Sequence, residues 1–189
     1  MNSKNKAHPI RHFRTITKHR HKVISHCFRT GIGFQGLFHD LSKYTPTEFI
    51  PGAKYYLGTR SPNESERELL GYSLAWMHHK GRNRHHYEYW TDVDMKSKSY
   101  QSVPMPLNFL TEMFCDRIAA SKIYQGDKYT DASAYNYFMR GNAKTTMHPE
   151  TAKKLEEWLI LLRDEGEDVA FARVKAENKE FKKSKRNKK

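Results

Sequence analysis

Eleven histidines are spread through the chain, and all but His148 precede residue 87. They form groups: His12, His19 and His26 at intervals of seven, His39 beside Asp40, then His78–His79 and His85–His86. Asp116 follows inside the apolar run MFCDRIAA. Imidazole nitrogens and carboxylate oxygens are the donors that divalent manganese, iron, nickel, zinc and magnesium accept to differing degrees. No thiolate pair accompanies them, which argues against a zinc finger. A charge buried alone beside Met113, Phe114, Cys115 and Ile118 is very costly, so a metal or another cation must answer Asp116. Singly, these residues have ordinary readings: a surface histidine, a structural pair in a polar loop, an Asp116–arginine ion pair. Their conjunction in one small chain points to a metal site.

The elements that must position these groups read as helical nearly throughout. Pro9 suits a first helical turn, and a helix is predicted to Arg29, ahead of Gly31 and Gly33, with Phe13, Ile16, Val23, Ile24 and Cys27 on its apolar face. The spacing of Phe34, Leu37, Phe38 and Leu41 predicts a second helix over about 34–43, packed antiparallel on the first. Such packing brings one of the first helix's histidines near His39. His39 and Asp40 would project away from the apolar stripe, into solvent or into a polar interior.

The strings TPTE (45–48) and SPNE (61–64) read as capping boxes. The first opens a helix fading at Pro51–Gly52, and the second opens one running through Leu70, Leu74 and Met77 to Gly81. Residues 81–106 read as a long polar, aromatic loop. Helices follow at 107–124, with Leu110, Phe114 and Ile118 in register, at 131–140, and at 149–166, with Leu155, Leu159 and Leu162 inward. No strand alternates convincingly. The predicted class is all-α, with residues 1–8 a flexible N-terminus, 9–166 one helical domain, and 167–189 a charged C-terminal helix with a basic tail, KKSKRNKK (182–189), as a solvated end.

At 189 residues the chain suffices for one domain with a real core, and aromatic residues make up 13% of it. Lysine and arginine number 34 against 21 acids, a formal charge of +13, which suggests an anionic partner: a phosphorylated small molecule, a nucleotide or nucleic acid. Cys27 and Cys115 give no disulfide framework and fit a reducing, cytoplasmic setting. The basic N-terminus leads into no apolar stretch, so no secretory signal is expected. No window nears the roughly 20 apolar residues that span a bilayer, so no membrane role is expected.

His39-Asp40 within HDLSK (39–43), a preceding histidine and the later Asp116 resemble the HD superfamily of metal-dependent phosphohydrolases. HHYE (85–88) is similar to an element of its HD-GYP branch, although the histidine pairs lie closer together here and no GYP follows. More narrowly, HDLSKYTPTEF, WMHHKGRNRHHYEYW and CDRIAASK resemble a small family of uncharacterised bacterial and phage proteins over most of residues 10–165. The HD resemblance implies an HD-domain-like helical bundle in which His39 and Asp40 are central ligands and Asp116 closes the set. It favours His19 over His26 as the opening ligand and implies His79 with His85 or His86 as further ligands, as in two-metal members. It implies hydrolysis of a nucleotide or other phosphate ester, with Asp40 bridging two ions. Asp40, Lys43, Lys80, Arg82, Arg84 and His86 are then the candidates for catalysis and phosphate contact. Tyr87, Tyr89 and Trp90 are candidates to stack a base or to anchor the loop. Two rivals keep the same residues: an HD-fold di-iron oxygenase, and a basic nucleic-acid-binding protein with a structural metal.

Overall fold

A computed structural model describes residues 6–187. The fold is all-α, with nine α-helices among the described residues: α1 (Pro9–Arg29), α2 (Gly33–Gly36), α3 (Pro46–Lys54), α4 (Pro62–Leu70), α5 (Leu74–Arg82), α6 (Leu107–Gln125), α7 (Ser133–Arg140), α8 (Ala143–Thr146) and α9 (Pro149–Arg186). None is long and apolar enough to cross a membrane. The flexible N-terminus and basic tail expected from the sequence lie partly outside the described residues. Within them, His8 N–H donates to the Ala53 carbonyl, and α9 stays helical to Arg186.

The fold is organised around α6, which is apolar on most faces because it is buried on two sides. Leu110, Phe114 and Ile118 join Phe138 of α7 and Leu155, Leu159 and Leu162 of α9 in the main core. Its other side meets α1, where Val23 and Cys27 pack with Cys115 and Ala119. Glu112 and Asp116, one turn apart on α6, are carboxylates within this sandwich. α9 bends at Gly166, whose backbone (φ 85°, ψ 173°) only glycine adopts readily, and its second half returns Phe171 and Val174 to the core. The charged segment beyond residue 166 is therefore not an appendage.

Several sequence expectations change. The second helix is one turn only: α2 ends at Gly36, and a 3₁₀ turn spans Leu41–Tyr44. Between them Asp40 takes a left-handed backbone (φ 53°), which aspartate tolerates better than most residues. That reversal turns His39 and Asp40 inward, to 1% and 2% exposure, while the supposed apolar stripe faces out, with Phe34 76% and Phe38 60% exposed. Arg20 of α1 clamps the turn by donating to the carbonyls of Leu37 and His39. Neither Thr45 nor Ser61 caps its helix through its side chain. Helix α3 passes through Pro51, and the SPNE helix stops at Gly71 before α5 begins. The 81–106 loop contains a small antiparallel hairpin, β1 (Thr91–Val93) with β2 (Tyr100–Ser102).

Candidate metal centre

Four parts of the chain converge where α1 crosses α6. His19 comes from α1, His39 and Asp40 from the turn after α2, His79 from the end of α5 with His85 just beyond it, and Asp116 from α6. Asp40 is the hub. Its Oδ1 lies 3.3 Å from His79 Nε2 and 3.4 Å from His85 Nε2. Its Oδ2 lies 3.2 Å from His39 Nε2, 3.9 Å from His19 Nε2 and 2.6 Å from Lys43 Nζ. Asp116 Oδ1 sits 2.9 Å from His19 Nε2. The donors thus fall into two sets on either side of Asp40: His19, His39 and Asp116 in one, and His79, His85 and His86 in the other.

This donor set fits divalent ions. Nε2 of His39 and His85 and Oδ1 of Asp40 are buried and make no hydrogen bond, and proteins rarely leave such groups unpaired together in one place. Ligands held about 2.1 Å from an ion stand roughly 3.0 Å apart in octahedral and 3.4 Å apart in tetrahedral geometry. The closest separations here, 2.9 to 3.4 Å, match that range.

The other ring nitrogens are held by carboxylates that sequence reasoning missed. Glu112 Oε1 accepts from Nδ1 of His39 at 2.9 Å and of His85 at 3.2 Å. Glu48 Oε2 accepts from His79 Nδ1 at 2.7 Å, and its Oε1 from His78 Nδ1 at 2.6 Å. Gln35 holds Glu112 Oε2 in turn, at 2.6 Å. Such outer partners fix the orientation of each ring and point its Nε2 inward. The burial argument that singled out Asp116 applies equally to Glu112, four residues earlier. Glu48 was concealed by its apparent capping role.

Protonation follows from the same contacts. Burial opposes a charge on His39, but Asp40, Glu112 and Asp116 overcome it and raise the imidazole to about 10. Burial likewise opposes the Asp40 and Asp116 charges. The imidazoles around both, with Lys43 beside Asp40, nevertheless hold them well below the usual carboxylate range. Burial also works against Glu112, which His39 and His85 hold down at about 2. Burial dominates at His19 and His86, and both are shifted down.

Of the other candidates, His86 stands in the second donor set, its Nε2 2.9 Å from His79 Nε2. His26 lies apart from the centre, with Nδ1 3.2 Å from the Cys115 carbonyl oxygen, and His12 packs on Phe49 and Tyr56. A cleft of about 650 Å³ opens above the donors, with His19, Lys43, His79, His86 and Asp116 among its lining. Lys80 and Arg82 do not line it. Arg84 instead covers Tyr89 and Phe109, and Trp90 Nε1 donates to the Arg84 carbonyl, which anchors this loop. The cationic lining includes Arg67, Arg117 and Arg140, which the sequence did not single out.

A family profile matches residues 8–160, most of the chain, and is described as a family of unknown function, DUF5662. The chain belongs to the DUF5662 family. No curated protein and no solved structure matches it. The DUF5662 match takes in every donor from His19 to Asp116, together with Glu48 and Glu112, and stops before the Gly166 bend.

Proposed function

We propose that this protein is an HD-like, metal-dependent phosphohydrolase that acts on a nucleotide or another small phosphate ester. The observation that carries the reading is Asp40, a buried carboxylate with imidazoles against both oxygens, beneath a cleft whose lining includes Lys43 and Arg117. His19, His39, Asp40 and Asp116 would hold one ion, and Asp40, His79, His85 and His86 a second. Bound there, divalent manganese, iron, nickel, zinc or magnesium supplies Lewis acidity and lowers the pKa of water.

The chain's own groups do the rest. Lys43 is half-buried, and Asp40 and Asp116 keep its ammonium charged against desolvation, so it can neutralise charge on the phosphoryl oxygens. Arg117 follows Asp116 on α6 and lines the cleft, and its Nε is buried without a partner, a fork suited to a phosphoryl group. Burial pushes the Tyr124 phenol up, so it remains a neutral O–H donor in the cleft wall.

The test is elemental analysis of the purified protein, then phosphate release from nucleotides and generic phosphodiesters after chelation and metal add-back. Activity should vanish with chelation and return with metal. It should be lost in Asp40→Asn, in which asparagine suits the left-handed backbone but the bridging charge is gone. If every substrate stays intact under all metals, the reading fails.

A second reading, a di-iron oxygenase, is favoured by a donor set richer in imidazole than in carboxylate, which suits iron. Iron in the protein as purified, a mixed-valent resonance signal and substrate-dependent oxygen uptake would select it.

A further inference from the structure

The lining of the cleft carries Lys43, Arg60, Arg67, Arg117 and Arg140 together with Glu48, Glu64, Glu88 and Asp116. Two of the five cations are engaged neither by the metal centre nor by a carboxylate. Lys43 and Arg117 serve the metal centre, whereas Arg67 of α4 and Arg140 at the end of α7 line the same cleft with exposed side chains. The Arg67 guanidinium lies over the Trp76 ring, 5.7 Å from its centre, and that of Arg140 lies over Tyr137 at 5.8 Å. A guanidinium held near an aromatic ring by cation–π attraction keeps N–H groups free for an anion. Arg60 gives the contrast: it lines the cleft too, but both of its terminal nitrogens are taken by Glu68. Glu64 and Glu88 also line the cleft, and among the described residues neither forms an ion pair with Arg67 or Arg140.

We infer that Arg67 and Arg140 form a second anion subsite, so the substrate is a small molecule bearing two anionic groups, one at the metal centre and one on this pair. The inference rests on the phosphohydrolase reading for the first of those groups. The cleft's size suits one compact ligand rather than a polymer. The aromatic neighbour of each guanidinium restrains it before the ligand arrives, which lowers the entropy lost on binding.

A graded series of α,ω-alkanediyl bisphosphates, each with its matching monophosphate, tests the subsite on metal-loaded protein by calorimetry. One spacer length should bind at least tenfold more tightly than its monophosphate. The double variant Arg67→Gln/Arg140→Gln should lose that advantage and bind the monophosphate unchanged. Arg11→Gln/Arg14→Gln, which removes equal charge from the exposed side of α1, should keep it. If no spacer length gains affinity, or if the Arg67/Arg140 variant retains the gain, the subsite is overturned. Phosphate release in the same samples separates the two ideas. Tight bisphosphate binding without turnover of any ester would sink the hydrolase reading alone. Turnover with no bisphosphate preference would sink the subsite alone.

Discussion

Glu112 holds two imidazoles through one oxygen, so its loss should loosen both donor sets together. Glu112→Gln is expected to lower metal affinity roughly 10–100-fold with the helical circular dichroism intact, as read by metal titration. His26 offers a test away from the centre. Burial, opposed by the Cys115 carbonyl and Glu167, lowers it to about 4, so the fold favours the neutral ring. Its contribution to stability is present above the unfolded value of about 6.5 and is lost as the pH falls from there through 4, at most on the order of 3 kcal/mol. His26→Gln cannot titrate, so its melting temperature should fall less between pH 6.5 and 4 than that of the parent protein, and identical slopes would refute this. Asp116 and His39–Asp40 were legible in the sequence because a charge among apolar neighbours demands a counter-charge. Glu48 was not, because a local motif already accounted for it.

The turn after α2 decides whether the centre assembles. Gly36 packs against α1 so closely that an added Cβ would lie 2.5 Å from Cys27 Cβ and 3.0 Å from its Sγ. Gly36→Ala should therefore cost about 1–3 kcal/mol in urea unfolding and weaken metal binding by displacing His39. Gly81→Ala, in the last turn of α5 with nothing within 4 Å, is the neutral comparison. The periodicity of 34–41 gave a correct apolar face and the wrong direction. Spacing defines which residues share a side, but the left-handed step at Asp40 and the Arg20 clamp set which side meets the core.

Charge is distributed unevenly along the chain. No acid precedes Asp40, and Arg11, Arg14 and Lys18 lie at three- and four-residue spacing on the exposed side of α1. The nucleic-acid reading rests on the net charge of +13 and the basic tail, and this row adds a described surface on which it can be tested. If α1 contacts phosphates, log K for a DNA duplex should fall linearly with log salt, and Arg11→Gln/Arg14→Gln/Lys18→Gln should lessen the slope by about 2.7. A slope unchanged by those substitutions would confine the basic character to solubility and to the cleft.

Composition, helical periodicity and the unusual company of His39, Asp40 and Asp116 were enough to outline an all-α chain with a candidate cation site, because burial cost and hydrogen-bond periodicity act locally. Which histidine of α1 joins that site, which carboxylates orient its imidazoles and which arginines face the cleft depend on helix crossing and on one backbone reversal. Those contacts join residues as far apart as His19 and Asp116, and no local spacing records them.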